Sequence, residues 1–311
     1  METKLVVILG AGPVGQTAAR MYKERGLAVR FVTRSGKPMP EAETVAADIA
    51  DADALTSAAE GASILLHAAG VPYHRWFAEF PLMQSAVLSA AERLGAVAVF
   101  AENLYSYAAD TMPMTETSEE KPATKKGALR LKLSQQWLAA HASGRVRAVS
   151  VRASDYWGPG ATDSPNSHFG ARFFPGFEAG KPVAFLGNPD ALHSFAYLPD
   201  FARALVDASL DEGSWGRPWI APAMGPTTSR RVAELFAAEA GLKVKVQALP
   251  PFLLKVLGLF HPLVREVSEM LYQFEKEFVV DTSAWTARFG WKATPLDVAV
   301  RETWEHRVAA R

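Results

Sequence analysis

The 311-residue chain contains no cysteine. Disulfides, thiol catalysis and thiolate metal sites are therefore excluded. It has no excess of charge of either sign, since 33 basic and 33 acidic side chains give a formal net charge of zero. That balance gives no electrostatic case for nucleic acid or an anionic membrane as partner. Long hydrophobic runs are missing too: the longest, Phe252 to Phe260, is broken by Lys255 and Gly258 and is far shorter than a bilayer span. The apolar start lacks a cleavage signal, so a cytoplasmic location is expected by elimination. The seven histidines are scattered, and His67, His74 and His193 do not form a ligand set, so no metal is expected. What is present is 49% hydrophobic sequence, enough for a large core in one domain or two coupled ones. A small-molecule substrate is the expected partner, and a homodimer is left open.

The first motif joins a run of apolar residues, Leu5 to Leu9, to Gly10, Gly12 and Gly15. This is the spacing of the dinucleotide-binding turn. Gly10 permits the tight turn, Gly12 lets backbone approach a pyrophosphate, and Gly15 lets the next helix pack closely on the strand. Pro13 and Val14 open that helix, whose free amides would face the phosphates. The helix is predicted from Val14 to Arg25, with Gly26 as its stop and Ala28 to Thr33 as a second strand.

After that second strand come Thr33, Arg34, Ser35, Gly36 and Lys37, with no acid for the ribose diol of NAD. The Arg34 guanidinium can instead grip a 2′-phosphate, and Lys37 could add a second charge. NADP(H) is therefore expected in preference to NAD(H), against the alternative that Arg34 is a solvated loop charge.

Strands and helices alternate along most of the chain, the rhythm of a parallel sheet. Further strands are predicted over Ser63 to His67, Ala96 to Phe100 and Val146 to Arg152. Helices are predicted over Trp76 to Leu94, Lys126 to Ala142, Arg230 to Ala240 and Leu263 to Phe274, with a last one capped by Thr294 and opened by Pro295. The fold class is α/β, a doubly wound parallel sheet of Rossmann type with a smaller C-terminal substrate-binding region. Residues 1–157 and 194–222 are assigned to dinucleotide binding, and 158–193 and 223–311 to the substrate region.

The order of motifs resembles the extended short-chain dehydrogenase/reductase superfamily, in particular the NAD-dependent epimerase/dehydratase-like proteins. The resemblance is carried by the glycine turn, by Asp48 and Ile49 after strand three, by Ala68, Ala69 and Gly70 after strand four, by Arg152 to Gly160, and by Phe195 to Asp200. It implies that Asp48 and Ile49 border the adenine, that Ala68, Ala69 and Gly70 line the cofactor, and that the Arg152 segment passes near nicotinamide and substrate. For Asp48 the alternative is a loop cap.

The superfamily's usual Tyr, with a Lys four residues later, is missing. The register set by Glu116 and Pro122 puts Lys126 at the Tyr position and Arg130 at the Lys position, while Asn103, or less readily Ala101, falls at the Ser position. Two readings follow. Lys126 is the proton-transfer group, on one helix face with Arg130, similar to the isoflavone-reductase-like atypical members in which a Lys replaces the Tyr. Alternatively, Lys125, Lys126, Arg130 and Lys132 form a solvated basic face. Tyr105 offers a substitute phenol, Asn103 an amide donor to a carbonyl, and Tyr107 is expected to pack.

For substrate binding, Asp155, Tyr156 and His193 are candidates by position. His193 stands where nucleotide-sugar members typically carry a diphosphate-binding Arg, and a neutral imidazole clamps diphosphate poorly. Apolar side chains, among them Phe169, Phe173, Phe174, Phe177, Phe252, Leu253, Leu257, Phe260, Met270 and Tyr272, suit an apolar carbonyl or enone, although most of such a set is usually core. The expectation is an NADP(H)-dependent oxidoreductase of the atypical short-chain type. The alternatives are an epimerase or dehydratase with tightly held NAD(P), and a non-catalytic NADP-binding redox sensor.

Overall fold

The structure is a computed structural model and describes residues 4–40, 42–249, 266 and 268–310. Its central sheet has seven strands in the order β10-β6-β5-β4-β1-β2-β3. These are β1 (Leu5–Leu9), β2 (Ala28–Thr33), β3 (Glu43–Ala46), β4 (Ala62–His67), β5 (Val97–Asn103), β6 (Arg147–Ala153) and β10 (Pro218–Ile220). β1 pairs in parallel with both β2 and β4, and β2–β3 and β4–β5 are parallel as well. Val6 to Leu9 are fully buried, as a central strand covered on both faces must be. The order reverses between β1 and β4, which is where a doubly wound sheet opens its ligand crevice. The Rossmann-type α/β class expected from the alternation is what the chain adopts.

The chain divides into two compact units. The first comprises Met1–Ser106, Lys125–Arg152 and Phe201–Trp219, and the second Tyr107–Thr124, Ala153–Asp200 and Ile220–Arg311. The segment 107–124 thus belongs to the second unit, whereas the sequence alone assigns it to the nucleotide-binding part.

In the first unit, α1 (Pro13–Glu24) follows the glycine turn, α2 (Ala52–Ala58) is capped by Asp51, and α3 (Trp76–Leu94) follows a 3-10 turn at Tyr73–Arg75 and stops at Gly95, in the left-handed region at φ +61°. α4 (Lys125–Ala142) leads into β6. β5 runs three residues beyond its predicted end at Phe100, so Asn103 closes the strand.

The second unit holds the short parallel pairs β7 (Tyr156–Trp157) with β9 (Ala196–Tyr197), and β8 (Val183–Leu186) with β11 (Val246–Leu249). Its core is aromatic. Phe169, Phe173, Phe174 and Phe177 pack with Trp157, Phe195 and Phe236, all almost completely buried. The four phenylalanines considered for a substrate surface are therefore core. Phe252, Leu253, Leu257 and Phe260 lie outside the described residues, as do residues 263–265 and 267 of the predicted Leu263–Phe274 helix; at its far end, a turn at residues 269–271 precedes a separate helix, Tyr272–Glu275.

The final helix, Leu296–Ala309, corrects the predicted capping. Pro295 is its N-cap residue and no side chain caps it. Thr294 is drawn elsewhere: its N–H and hydroxyl both donate to the carboxylate of Asp200, at 2.6 and 2.9 Å. A long-range acceptor outcompetes the local cap. Among the described residues, no helix is long and apolar enough to cross a membrane.

Candidate active site

The glycine turn is built as the crevice requires. Gly10 has φ +100°, and a β-carbon there would stand 2.7 Å from Cα of Ala69. Gly15 is crowded by the Gly10 carbonyl and by Ile8. Gly12 is exposed, with nothing within 4 Å of its β-carbon position, and is the N-cap of α1. Pro13 sits at the first helical position and Val14 is buried beneath. Open space above a helix start, walled by two crowded glycines, fits a pyrophosphate. The N–H of Ala68 donates to the Leu9 carbonyl at 3.0 Å, holding the Ala68-Ala69-Gly70 loop against β1.

At the end of β2, Arg34 is 57% exposed, with Glu79 of α3 at 4.0 Å. Lys37 is also exposed. Asp48 accepts the N–H of Ala50 at 3.0 Å and so caps its own turn, while Ile49 is buried in the sheet core.

The structure brings Asn103, Tyr105, Lys126 and Arg130 together around two residues that sequence reasoning missed, Tyr73 and Trp76. Asn103 Oδ1 accepts the backbone N–H of Tyr105 at 3.2 Å, setting the bend off β5. The Tyr105 ring stacks on Trp76, centroids 6.0 Å apart, and its hydroxyl lies 3.0 Å from that of Tyr73. Trp76 packs edge-on against Tyr73 at 4.9 Å and is fixed by its Nε1–H donating to the Val71 carbonyl at 2.8 Å. Nζ of Lys126 stands 5.2 Å from the Tyr73 ring centre. One turn later, the Arg130 guanidinium lies 5.4 Å from the Trp76 ring and 5.0 Å from Phe80.

Burial separates the four basic residues of α4. Lys126 is 0% exposed and Arg130 is half-buried, whereas Lys125 and Lys132 are exposed. The solvated-face reading holds only for the last two. Arg130 Nε is buried without a hydrogen-bond partner among the described residues. Burial lowers the pKa of the guanidinium, Arg152 adds to that, and Glu102, Tyr105 and Tyr73 oppose it. Glu102, at the buried end of β5, also pairs with Arg152 at 3.4 Å, and Arg152 donates to Ser134 at 2.6 Å. His67 is held neutral, its pKa lowered to about 4 by burial and then by the charge of Arg130. The available signal for Tyr73 was its place just past Gly70, beside the switch point of the sheet.

In the second unit, His193 is 4% exposed and stacked between aromatic rings, at 4.5 Å from Phe195 and 5.2 Å from Phe278. Its Nε2 is 3.1 Å from Ser154 Oγ, in hydrogen-bond geometry, and 3.1 Å from Asp155 Oδ2. Burial raises the Asp155 pKa, but His193, with help from His168 and Arg172, more than offsets it and the net shift is downward. Tyr156 is half-buried, its phenol pKa pushed up by burial against a hydrogen bond with Ser164. Tyr107 is 1% exposed.

The profile of the NAD dependent epimerase/dehydratase family matches residues 6–214, and the chain belongs to that family of nicotinamide-dinucleotide enzymes. Among solved structures it is similar to the UDP-N-acetylglucosamine 4-epimerase of Bacillus cereus, at 16% identity and TM-score 0.78, covering 99% of this chain and 97% of that one. It is similar to the dTDP-glucose 4,6-dehydratase of Bacillus anthracis, solved with NAD, at 13% identity, TM-score 0.78 and coverage of 99% and 97%. The Thermus thermophilus UDP-glucose 4-epimerase, in complex with NAD, gives 19% identity, TM-score 0.77 and coverage of 99% and 100%. No curated protein gives a significant match.

Proposed function

We propose that the chain is an NADP(H)-dependent oxidoreductase of the atypical short-chain type that reduces a small, apolar carbonyl or enone compound, in the cytoplasm. The observation that carries this is the cluster at the α4 register: with the usual Tyr absent, Lys126 is buried against Tyr73, and Tyr105 and Asn103 join it within one aromatic-walled corner. When bound, the reduced nicotinamide supplies a hydride. Gly10, Gly12 and Gly15 would hold its pyrophosphate, and Arg34 a 2′-phosphate. Asn103 Nδ2, whose partner Oδ1 is engaged by Tyr105, would donate to the acceptor oxygen. The proton comes from the group formed by Lys126 and its phenol neighbours.

An apolar substrate is favoured because Tyr73, Trp76 and Tyr105 form the walls and because His193, occupied by Ser154 and Asp155, offers nothing to a diphosphate. The test is calorimetry with NADP and NAD, followed by a carbonyl and enone panel monitored by NADPH absorbance. Tighter NADP binding with substrate-dependent consumption is expected; no consumption across the panel would overturn the proposal.

Family membership favours a second reading, an epimerase or dehydratase that oxidises its substrate transiently. That activity would keep the cofactor bound, so nucleotide released on denaturing the purified protein would support it.

A further inference from the structure

Taking the oxidoreductase reading as premise, we infer that Tyr73 supplies the phenol that α4 lacks, and that its hydroxyl, paired with Tyr105 and backed by the Lys126 ammonium, is the proton donor. A donor must reach within hydrogen-bond distance of the atom it protonates. Lys126 has no exposed surface, whereas Tyr73 is half-buried and keeps an accessible edge. The register that puts Lys126 in the Tyr position therefore places a charge there and leaves the transfer to another group.

Three contacts make Tyr73 suited to the task. The ammonium of Lys126 lies over its ring, 5.2 Å from the centroid, where it is attracted to the ring face and stabilises negative charge developing on the phenol oxygen. The Tyr105 hydroxyl at 3.0 Å donates to that oxygen once the proton has left. Trp76 touches both rings and is itself anchored to Val71, so the two hydroxyls are held in place before any substrate arrives. Tyr73 follows β4 by six residues, beside the β1–β4 switch point at which ligands bind in this class of sheet.

The step balances. The O–H bond of Tyr73 breaks and its proton passes to the carbonyl oxygen as hydride arrives at the carbon, giving the alcohol. The phenolate then regains a proton from water through the Tyr105 hydroxyl.

The first test needs no substrate. Tetranitromethane nitrates phenolates, so brief treatment of the intact protein, read by peptide mass spectrometry, should modify Tyr73 ahead of the other six tyrosines. Lys126→Met should reduce that preference severalfold. Nitration of Tyr73 that is no faster than the rest, or indifferent to Lys126, overturns the inference. In turnover, Tyr73→Phe should leave NADP affinity and circular dichroism unchanged while lowering kcat by roughly a hundredfold or more. Tyr105→Phe, with the donor retained, should lower it about tenfold. A wild-type protein that consumes NADPH with a Tyr73→Phe variant of equal kcat overturns the inference and leaves the oxidoreductase reading standing. A wild-type protein that consumes none overturns both.

Discussion

The carbonyl of Gly10 occupies the space in which a side chain on Gly15 would begin. That contact lets α1 start directly against the end of β1. Gly12, between them in sequence, meets nothing, so the three glycines of one motif divide into two that serve packing and one that faces open space.

Gly12→Val should therefore abolish binding of NADP and NAD while the melting temperature stays near the wild-type value, since the backbone at φ −76° suits any residue. Gly15→Ala should instead destabilise by about 1–3 kcal/mol through overpacking. Calorimetry and thermal melts separate the two outcomes; undiminished binding by the Gly12 variant would place the nucleotide elsewhere.

Arg34 tests cofactor choice. A charge-assisted hydrogen bond contributes about 1.5–3 kcal/mol, so Arg34→Ala should weaken NADP binding by roughly ten- to hundredfold and leave NAD binding almost unchanged. Equal affinities for the two cofactors in the unaltered protein would remove the 2′-phosphate assignment.

Lys126 tests the role of a buried charge. A desolvated cation on a ring face contributes about 2 kcal/mol, so Lys126→Met should slow turnover roughly thirtyfold, less than Tyr73→Phe, with NADP affinity retained. A loss larger than that of Tyr73→Phe would return the donor role to Lys126.

Stability should fall in mild acid. His67 has a pKa of about 4 in the fold against an ordinary 6.5, so between those values the unfolded chain binds a proton that the fold refuses. Stability is thus full above pH 6.5 and declines as pH falls toward 4, by about 3 kcal/mol for this one group. His168, lowered to about 3 chiefly by burial, acts in the same direction. Denaturant titrations at pH 7.5 and 4.5 should show a smaller difference for His67→Gln than for wild type, and an unchanged difference would refute the assignment.

Much of the scaffold was legible in the residues because the signals are local. Apolar runs, helix periodicity and glycine stops placed β2 and α3 at their observed limits, and the glycine spacing marked the tight turn between β1 and α1. The same locality explains the misreading of Thr294, which looked like a cap because the competing acceptor, Asp200, is 94 residues away. Composition showed an aromatic-rich region but not whether Phe169, Phe173, Phe174 and Phe177 faced a ligand or one another; packing put them in the core.

The sequence by itself determined the α/β class, the crevice-forming turn, the missing Tyr-Lys pair and the one-turn spacing of Lys126 and Arg130. Only the tertiary structure decided what those residues meet. Tyr73 and Tyr105 are 32 positions apart and share a hydrogen bond because β4 and β5 are neighbours in the sheet and their C-terminal loops leave the same edge. His193 reads as a ligand-facing imidazole until folding encloses it between Phe195 and Phe278 and turns its Nε2 to Ser154 and Asp155. Spacing along a chain specifies which face of an element a side chain occupies; the partner on that face is specified by elements that are distant in sequence and close only after the sheet has formed.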